Sequence, residues 1–391
     1  MQIIYISKAR LPTEKAYGTN MVKTCEALAK TGIEVTLLAP QTGNKSAQRD
    51  IFSYYDIKPV FSVHQIPIID AISMGWWRGG FWLNHLSFLA RLLAHNFGDK
   101  KETIILARDE IAALILTVKG FRVFYDMHGF PERKRWFWKI IMKRMDGIIA
   151  TNEWKREQCA SLFDIPREKI IIAPNGFDPA LFEIRGSRDE LRKELGLPRD
   201  AIIVMYTGHL YDWKGAGVLL ETAKQFQVSC FMFQVYFVFV GGTGKELEDF
   251  RKKASGLKNV LVLGHKPPQS IPKYLKAADV LVLPNSGISQ NARFAVYSQK
   301  DTSPIKLFEY MASGTPVVAS DLPSIMEILN ERNAEIVQPD SPDDLLNGIM
   351  RLLHVKNHAE QIAAQAYADS IKFTWDRRAQ NILAFINRRM S

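Results

Sequence analysis

Cysteine is scarce: Cys25, Cys159 and Cys230 are the only three in 391 residues, and they lie far apart with no metal-ligand spacing. An odd, scattered set excludes a disulfide framework and points to a reducing compartment. Long hydrophobic runs are missing as well. The most apolar stretch, residues 226–240, is interrupted by Gln227, Ser229 and Gln234 and ends in Gly241 and Gly242, so it is too short and too polar to span a bilayer. The opening MQIIYIS runs straight into a strand pattern without a basic region or cleavage site, so no signal peptide is expected. There is no internal repeat, no low-complexity tract, and no Asp-x-Asp pair placed to hold a divalent cation through oxygen ligands. Neither a metal nor a cofactor is therefore expected. Acidic residues are in the minority, 41 against 51 Lys and Arg, for a net charge of +10. That balance favours an anionic partner: nucleic acid, anionic lipid or a phosphorylated substrate.

What is present is a repeated alternation of strand and helix. At 391 residues the chain exceeds one ordinary core, and two domains of similar size are expected, in an α/β class. Residues 2–7 read as a strand, 8–18 as a loop, 20–30 as a helix closed by Gly32, and 33–39 as a strand. This is a βαβ unit and implies a parallel sheet with right-handed crossovers. Gly18 falls at the carboxyl end of the first strand, where ligands of open α/β sheets bind. Further strands are expected at 57–66, 103–107, 121–126, 147–151 and 170–173, and the first domain ends at Pro-Asn-Gly-Phe-Asp, residues 174–178. The pattern restarts with strands at 201–207, 235–240, 260–263 and 280–284, several of which end in small or basic residues: Gly208 and His209, Gly241 and Gly242, Gly264 and His265. Two doubly wound domains facing each other across a cleft are the expected architecture, divided at 178 and 179.

Residues 301–321, DTSPIKLFEYMASGTPVVASD, are the most informative stretch. Ser303 suits an N-cap, Pro304 the first helical position and Gly314 a left-handed stop, and Pro316 prevents resumption. A buried strand follows at 316–320. Lys306 and Glu309, three apart, share a helix face. A helix N-terminus with a lysine in its first turn is a ready anion site, and an acid one turn on suits a vicinal diol, the layout of a phosphate with a ribose attached. A capped helix whose Lys and Glu face water is the plainer reading of the same residues.

The stretch resembles the nucleotide-sugar motif of retaining family-4 glycosyltransferases of the GT-B fold. Asp301 and Glu309 stand at the spacing of that family's two acids, with Asp where Glu is usual and Thr302-Ser303 where Phe-Gly is usual. Residues 174–178 match the family's interdomain Pro-Asn-Gly junction, and Lys214 matches a lysine that there pairs with an arginine, replaced here by His209. The resemblance implies that Gly18, His209, Lys214, Gly242, His265, Ser303, Ile305, Lys306 and Glu309 hold the donor, and that His128 and Asp301 lie beside the transferred sugar. It also implies that a final helix, 375–391, packs back on an acceptor-binding first domain, and that 179–374 bind the nucleotide sugar.

Residues 131–145 are read as a helix carrying Arg133, Lys134, Arg135, Lys139, Lys143 and Arg144 with Trp136, Phe137 and Trp138 interleaved. Basic and aromatic residues on one amphipathic helix are the composition of an in-plane membrane anchor, and each basic residue near an anionic leaflet contributes about 1 kcal/mol. A solvated basic face over an ordinary core is the alternative. Trp76 and Trp77 flank an Arg-Gly-Gly turn, either as a membrane or acceptor contact or as the aromatic core of the following helix. Up to Asp178 there are 25 Lys and Arg against 18 Asp and Glu, and 26 against 23 beyond it, so the first half is the more basic. The expected protein is a cytoplasmic, peripheral-membrane glycosyltransferase taking a nucleoside-diphosphate sugar to a glycan or lipid-linked acceptor. A nucleotide-sugar 2-epimerase of the same fold is the rival. A nucleic-acid binder leaves Lys214, residues 174–178 and residues 303–316 unexplained, so nucleic acid is not an expected partner.

Overall fold

Each βαβ step of the sequence pattern becomes part of a parallel sheet in the computed structural model. It describes residues 1–43, 50–76, 79–131, 133, 135–229 and 234–390, without the side chains of 227–229. Met1–Asn175 together with Trp375–Ser391 form one unit and Gly176–Thr374 another. In the first unit the strands are β1 (Gln2–Ile6), β2 (Glu34–Gln41), β3 (Ser62–Pro67), β4 (Thr103–Ala107), β5 (Arg122–Met127), β6 (Gly147–Ala150) and β7 (Ile170–Ile172). They lie in the order β3-β2-β1-β4-β5-β6-β7, all pairings parallel. Both faces of such a sheet are covered, so its strands are near-continuous apolar runs, such as Thr103–Ala107.

The order reverses between β1 and β4, and right-handed crossovers then put helices on opposite faces. Gly80–Ala94, Glu110–Val118, Arg135–Arg144 and Glu153–Phe163 pack side by side in that order, while Ala16–Ala29 pairs with the final helix, Trp375–Met390. The final helix buries Trp375, Ile382, Phe385 and Ile386. Each such side chain contributes about 1.5–3 kcal/mol. The approach is close, because a Cβ on Gly147 of β6 would lie 2.5 Å from the Phe385 ring.

The second unit has β8 (Ile202–Thr207), β9 (Val235–Val240), β10 (Val260–Gly264), β11 (Val280–Leu283), β12 (Val317–Ser320) and β13 (Glu335–Val337), ordered β10-β9-β8-β11-β12-β13 and again parallel where paired. One face is covered by a core containing Leu275, Phe308 and Met311, the other by one containing Leu219, Phe250 and Ile349.

Several local expectations are corrected. The first helix begins at Ala16, so Gly18 lies inside its first turn and not in a preceding loop. Strand pairing at β3 starts at Ser62 and not at 57. A short helix, Ile51–Tyr55, closes through left-handed Asp56, and Pro59 has no N–H to give a ladder. The basic helix starts at Arg135, four residues after Pro131. Pro304 is the N-cap residue of the helix Ile305–Ser313, in an extended conformation with φ −71° and ψ 125°. Ser303 therefore precedes the cap position. Gly314 supplies the left-handed stop, with φ 69°.

Candidate active site

The strand order of the second sheet reverses between β8 and β11, so a crevice opens at their carboxyl ends. From β8 the chain passes Gly208 and His209 into a tight turn, Asp212–Lys214; from β11 it passes Pro284 and Asn285 on its way to the helix Ile305–Ser313. Gly215 pins the turn to the end of β11. Its φ is 74°, and a Cβ there would lie 1.5 Å from the Pro284 carbonyl oxygen, so only glycine fits. Asp212 fastens the turn from the other side, its Oδ2 accepting from Ser289 Oγ at 2.8 Å and from the Gln290 N–H at 3.1 Å.

This scaffold holds one buried lysine, a second that is partly buried, and a partly buried acid. Lys306 is 8% exposed, and its ammonium lies 4.0 Å from the centre of the Tyr206 ring with no hydrogen-bond partner among the described residues. Burial first, then repulsion from Lys214, push its pKa well below the ordinary value, against the pull of Glu309. Lys214 is lowered to about 8 by burial, with its ammonium 4.2 Å from the centre of the Trp213 ring. Glu309 is half-buried, and burial raises its carboxyl to about 7 against the influence of Lys306. Asn285 is wholly buried, and neither its amide oxygen nor its nitrogen has a partner among the described residues. The N-cap residue of the helix Ile305–Ser313 is Pro304, whose side chain offers no capping hydrogen bond. Two lysines near a helix start at a sheet switch point, one of them without a hydrogen-bond acceptor among the described residues, suit an oxyanion with several acceptor oxygens.

His209 is already engaged by side chains of its own unit. Its Nδ1 lies 2.7 Å from Glu246 Oε1, and its ring stacks on Tyr211 with centroids 4.9 Å apart. Tyr211, Trp213 and Phe294 continue the stack at 6.2 and 6.0 Å. These aromatics were not singled out by the sequence reading; they brace the Lys214 turn. Gly242 has φ 78°, and a Cβ there would lie 2.6 Å from Leu210. His265 is exposed just after β10, and Asp301 is buried at the end of the π-helical turn Tyr297–Asp301.

In the first unit the chemistry gathers on Asp126, at the carboxyl end of β5. Its Oδ2 accepts from Tyr5 Oη at 2.5 Å and lies 3.0 Å from His128 Nε2, while Oδ1 accepts from Arg378 Nη2 at 2.7 Å. Arg378, from the final helix, also donates to the carbonyl of Ala173. Burial alone would raise the Asp126 carboxyl, but His128, Arg378 and Arg108 hold it well below the usual carboxylate range. Burial and then Arg108 lower His128 to about 3, so near neutral pH it is an uncharged imidazole. With Nε2–H donated to an ionised Asp126, Nδ1 carries the lone pair. Gly18 has a packing role: a Cβ there would lie 2.1 Å from Tyr55 Oη.

The aromatic residues divide. Trp76 is 63% exposed and Trp136 69%, whereas Trp138 packs against the core with its ring 6.1 Å from Tyr125. Trp138 is thus turned partly inward and partly toward solvent, and Trp76 is removed from any aromatic core. Arg133 and Arg135 are exposed; Lys139 lies 4.0 Å from Asp164. Trp77 and Lys134 lie outside the described residues. Among the described residues, no helix is long and apolar enough to cross a membrane.

Known proteins share this organisation. The model for "Glycosyltransferase Family 4" matches residues 18–181, and that for "Glycosyl transferases group 1" matches residues 187–369. An uncharacterized glycosyltransferase of Methanocaldococcus jannaschii is 28% identical over 60% of this chain and 57% of its own length. The lipopolysaccharide 1,2-N-acetylglucosaminetransferase of Salmonella typhimurium is 26% identical over 55% of this chain and 56% of its own. The chain thus spans little more than half the length of these curated relatives. The crystal structure of Anabaena HepE in complex with UDP superimposes with a TM-score of 0.73 over 99% of this chain and 100% of the other, at 18% identity, which establishes a common fold. Both halves being matched by models of one kind, and the fold throughout, the chain belongs to the family-4, group 1 glycosyltransferases of GT-B fold.

Proposed function

We propose that the protein is a retaining glycosyltransferase that moves a hexosyl group from a nucleoside-diphosphate sugar to a glycan or lipid-linked acceptor, without a metal ion. The observation that carries this reading is Lys306: a buried ammonium with no partner among the described residues, beside Lys214 and one turn from Glu309. A structural lysine would have an acceptor; this one awaits a ligand that brings oxygens. A diphosphate lying against Lys214, Lys306 and the N–H groups at Ile305 has its charge offset by the protein itself. Oriented donors in a water-poor site stabilise a departing anion by several kcal/mol. Glu309 accepts from the ribose hydroxyls. Gly242 and the main chain around His265 border the base, and Ser303 leads into the helix.

The unit Gly176–Thr374 holds the donor in this reading, and the unit containing β1–β7 the acceptor. His128, held neutral and oriented by Asp126, turns a lone pair rather than a charge toward the sugar. In a front-face reaction the departing phosphate oxygen takes the acceptor proton, so His128 orients hydroxyls and Asp301 faces the donor sugar. Trp76, Trp136, Arg133 and Arg135, all exposed, support a peripheral association with an anionic membrane surface on the cytoplasmic side. The similarity to a lipopolysaccharide glycosyltransferase supports a lipid-linked acceptor.

The test is a thermal-shift and calorimetric screen of UDP, GDP, and their glucose, galactose, mannose and N-acetylglucosamine conjugates, with and without EDTA. A cognate ligand at a hundred times its Kd adds about 2.7 kcal/mol of stability. Failure of every nucleotide to bind, or loss of transfer on adding chelator, overturns the reading. Interconversion of the sugar in the absence of acceptor would establish the epimerase instead.

A further inference from the structure

Asp126 is a carboxylate shut away from water, and donors converge on it from different parts of the first unit. Tyr5 Oη on β1 and His128 Nε2 share its Oδ2, at 2.5 and 3.0 Å, and Arg378 Nη2 on the helix Trp375–Met390 takes Oδ1 at 2.7 Å. Among these side chains it is the imidazole that reaches the surface: that of His128 is 16% exposed, those of Asp126 and Arg378 0% and 1%, and Tyr5 is buried. Whatever the buried members do to a ligand is done through the imidazole. The guanidinium itself is held on its other sides as well. Nη1 donates to the carbonyls of Ala173 and, at 3.4 Å, Pro174, and Nε donates to Thr24 Oγ1 at 3.4 Å. A planar fork reaches these acceptors and the carboxylate at once, which a single ammonium cannot do.

What Arg378 brings to the Asp126–His128 pair is a charge. A buried carboxylate needs either a counter-ion or a proton. With Arg378 in place Asp126 is answered and ionised, His128 donates Nε2–H to it, and the lone pair stays on Nδ1, which has no hydrogen-bond partner among the described residues. Nη2 also lies 3.5 Å from Nε2, so an imidazolium there would face a cation. Take the guanidinium away, and one proton from solvent replaces its charge. On Asp126, the carboxylic acid donates to Nε2, and the ring hydrogen moves to Nδ1. On His128, the imidazolium carries hydrogens on both nitrogens. Nδ1 loses its lone pair in either case. The other titratable groups around the pair do not compete for that proton. Tyr5 on β1, Tyr125 on β5 and Cys25 on the helix Ala16–Ala29 are all pushed above their ordinary values by burial and stay neutral. Arg108, just after β4, adds positive charge from further off, its Nη1 donating to Asn20 Oδ1 at 2.9 Å.

We infer that Arg378 is a positioning residue for the transfer reaction: as the contact counter-ion of Asp126 it keeps His128 in the tautomer whose Nδ1 accepts a hydroxyl hydrogen of the sugar. The role requires a positive charge at Asp126 and not merely a well-packed final helix. That His128 lies beside the sugar rests on the function proposed above; the coupling between Arg378 and the imidazole tautomer does not.

The test is long-range proton–nitrogen correlation NMR on the full chain labelled at histidine, with the His128 signals identified by their loss in His128→Gln. Wild type near neutral pH shows an uncharged ring with hydrogen on Nε2 and a pyridine-type Nδ1. Arg378→Gln keeps a hydrogen-bonding side chain and removes the charge, and its Nδ1 is protonated. Arg378→Lys keeps the charge and loses the fork, so it shows the wild-type tautomer although urea unfolds it more easily. With the donor that the nucleotide-sugar screen selects, Arg378→Gln lowers kcat about tenfold at unchanged donor KM, and Arg378→Lys recovers it. A wild-type ring that is charged or carries its hydrogen on Nδ1 overturns the inference, as do an unchanged tautomer or kcat in Arg378→Gln and a protonated Nδ1 in Arg378→Lys. If Arg378→Gln does not fold, the wild-type titration decides: the imidazole stays uncharged down to about pH 5, whereas one that charges above about pH 6 sits beside an unanswered carboxylate and overturns the inference. The expected tautomers in a protein that binds no nucleotide leave the coupling standing and remove the donor reading; UDP binding with an unchanged tautomer in Arg378→Gln does the reverse.

Discussion

Replacing Lys306 by methionine separates function from stability, because the two respond in opposite directions. The methionine chain occupies nearly the same volume and keeps the packing against Tyr206, while the ammonium disappears from a place where no described residue accepts a hydrogen bond from it. An unsatisfied buried polar group costs about 1–3 kcal/mol, so Lys306→Met stabilises the free protein by about that amount. For a unit of this size that is about 2–10 °C in Tm. Nucleotide affinity moves the other way: losing hydrogen bonds to a charged group removes about 1.5–3 kcal/mol, or about 10- to 150-fold in Kd. The pH dependence follows from the lowered pKa. The unfolded chain keeps its lysine proton up to the ordinary value of 10.5 while the folded chain releases it earlier, so stability rises with pH across that interval. Lys306→Met flattens this slope. Differential scanning calorimetry and isothermal titration read all of this on two proteins. A destabilised Lys306→Met that binds UDP like wild type would make Lys306 an ordinary structural lysine and end the donor-site argument.

Glu309→Ala abolishes nucleotide binding with the fold intact, measured by titration calorimetry and circular dichroism; unchanged affinity refutes the ribose assignment. Because burial raises Glu309 to about 7, the unfolded carboxyl ionises first, so this residue withdraws stability as pH rises from the ordinary 4.5 toward 7, and Glu309→Gln removes that decline in pH-dependent melting. Arg378→Met leaves Asp126 buried without its guanidinium and costs about 3–5 kcal/mol in urea unfolding, of which Asp126→Asn in the same background restores a part; no destabilisation would mean that the final helix is not held through this pair. Neutralising Arg133, Lys134, Arg135 and Lys139 together weakens sedimentation with anionic vesicles by about 4 kcal/mol at most and spares UDP binding; undiminished vesicle binding would dismiss that helix as a membrane contact.

How much of this was legible depends on the range of the interaction that fixes each feature. Strands buried on both faces announce themselves as short β-branched runs, and 103–107 and 235–240 were placed without error because nothing beyond their own composition decides them. The helix Ile305–Ser313 was legible through its spacing, since Lys306 and Glu309 share a face whatever lies opposite. Its start was not, because Ser303-Pro304 satisfies cap chemistry in two registers and the extended backbone of Pro304 selects the later one. What His209 pairs with was not legible because its partner, Glu246, is 37 residues away, in the helix Gly244–Ala254. Trp138 and Trp136 were alike by composition, and only their angular position separates them: Trp138 faces the core and Trp136 faces outward. Arg378 was missed altogether, yet the sequence did hold a signal. In the final helix Trp375, Ala379, Ile382, Phe385 and Ile386 make the inward stripe, and Arg378 stands within that stripe, three residues after Trp375 and four before Ile382. An arginine on the buried side of an amphipathic helix requires an anion in the same interior. Acids inside otherwise apolar strand runs are rare in this chain, and the one closing FRVFYD is Asp126, so the pair that anchors the final helix to His128 follows from two local anomalies that explain each other.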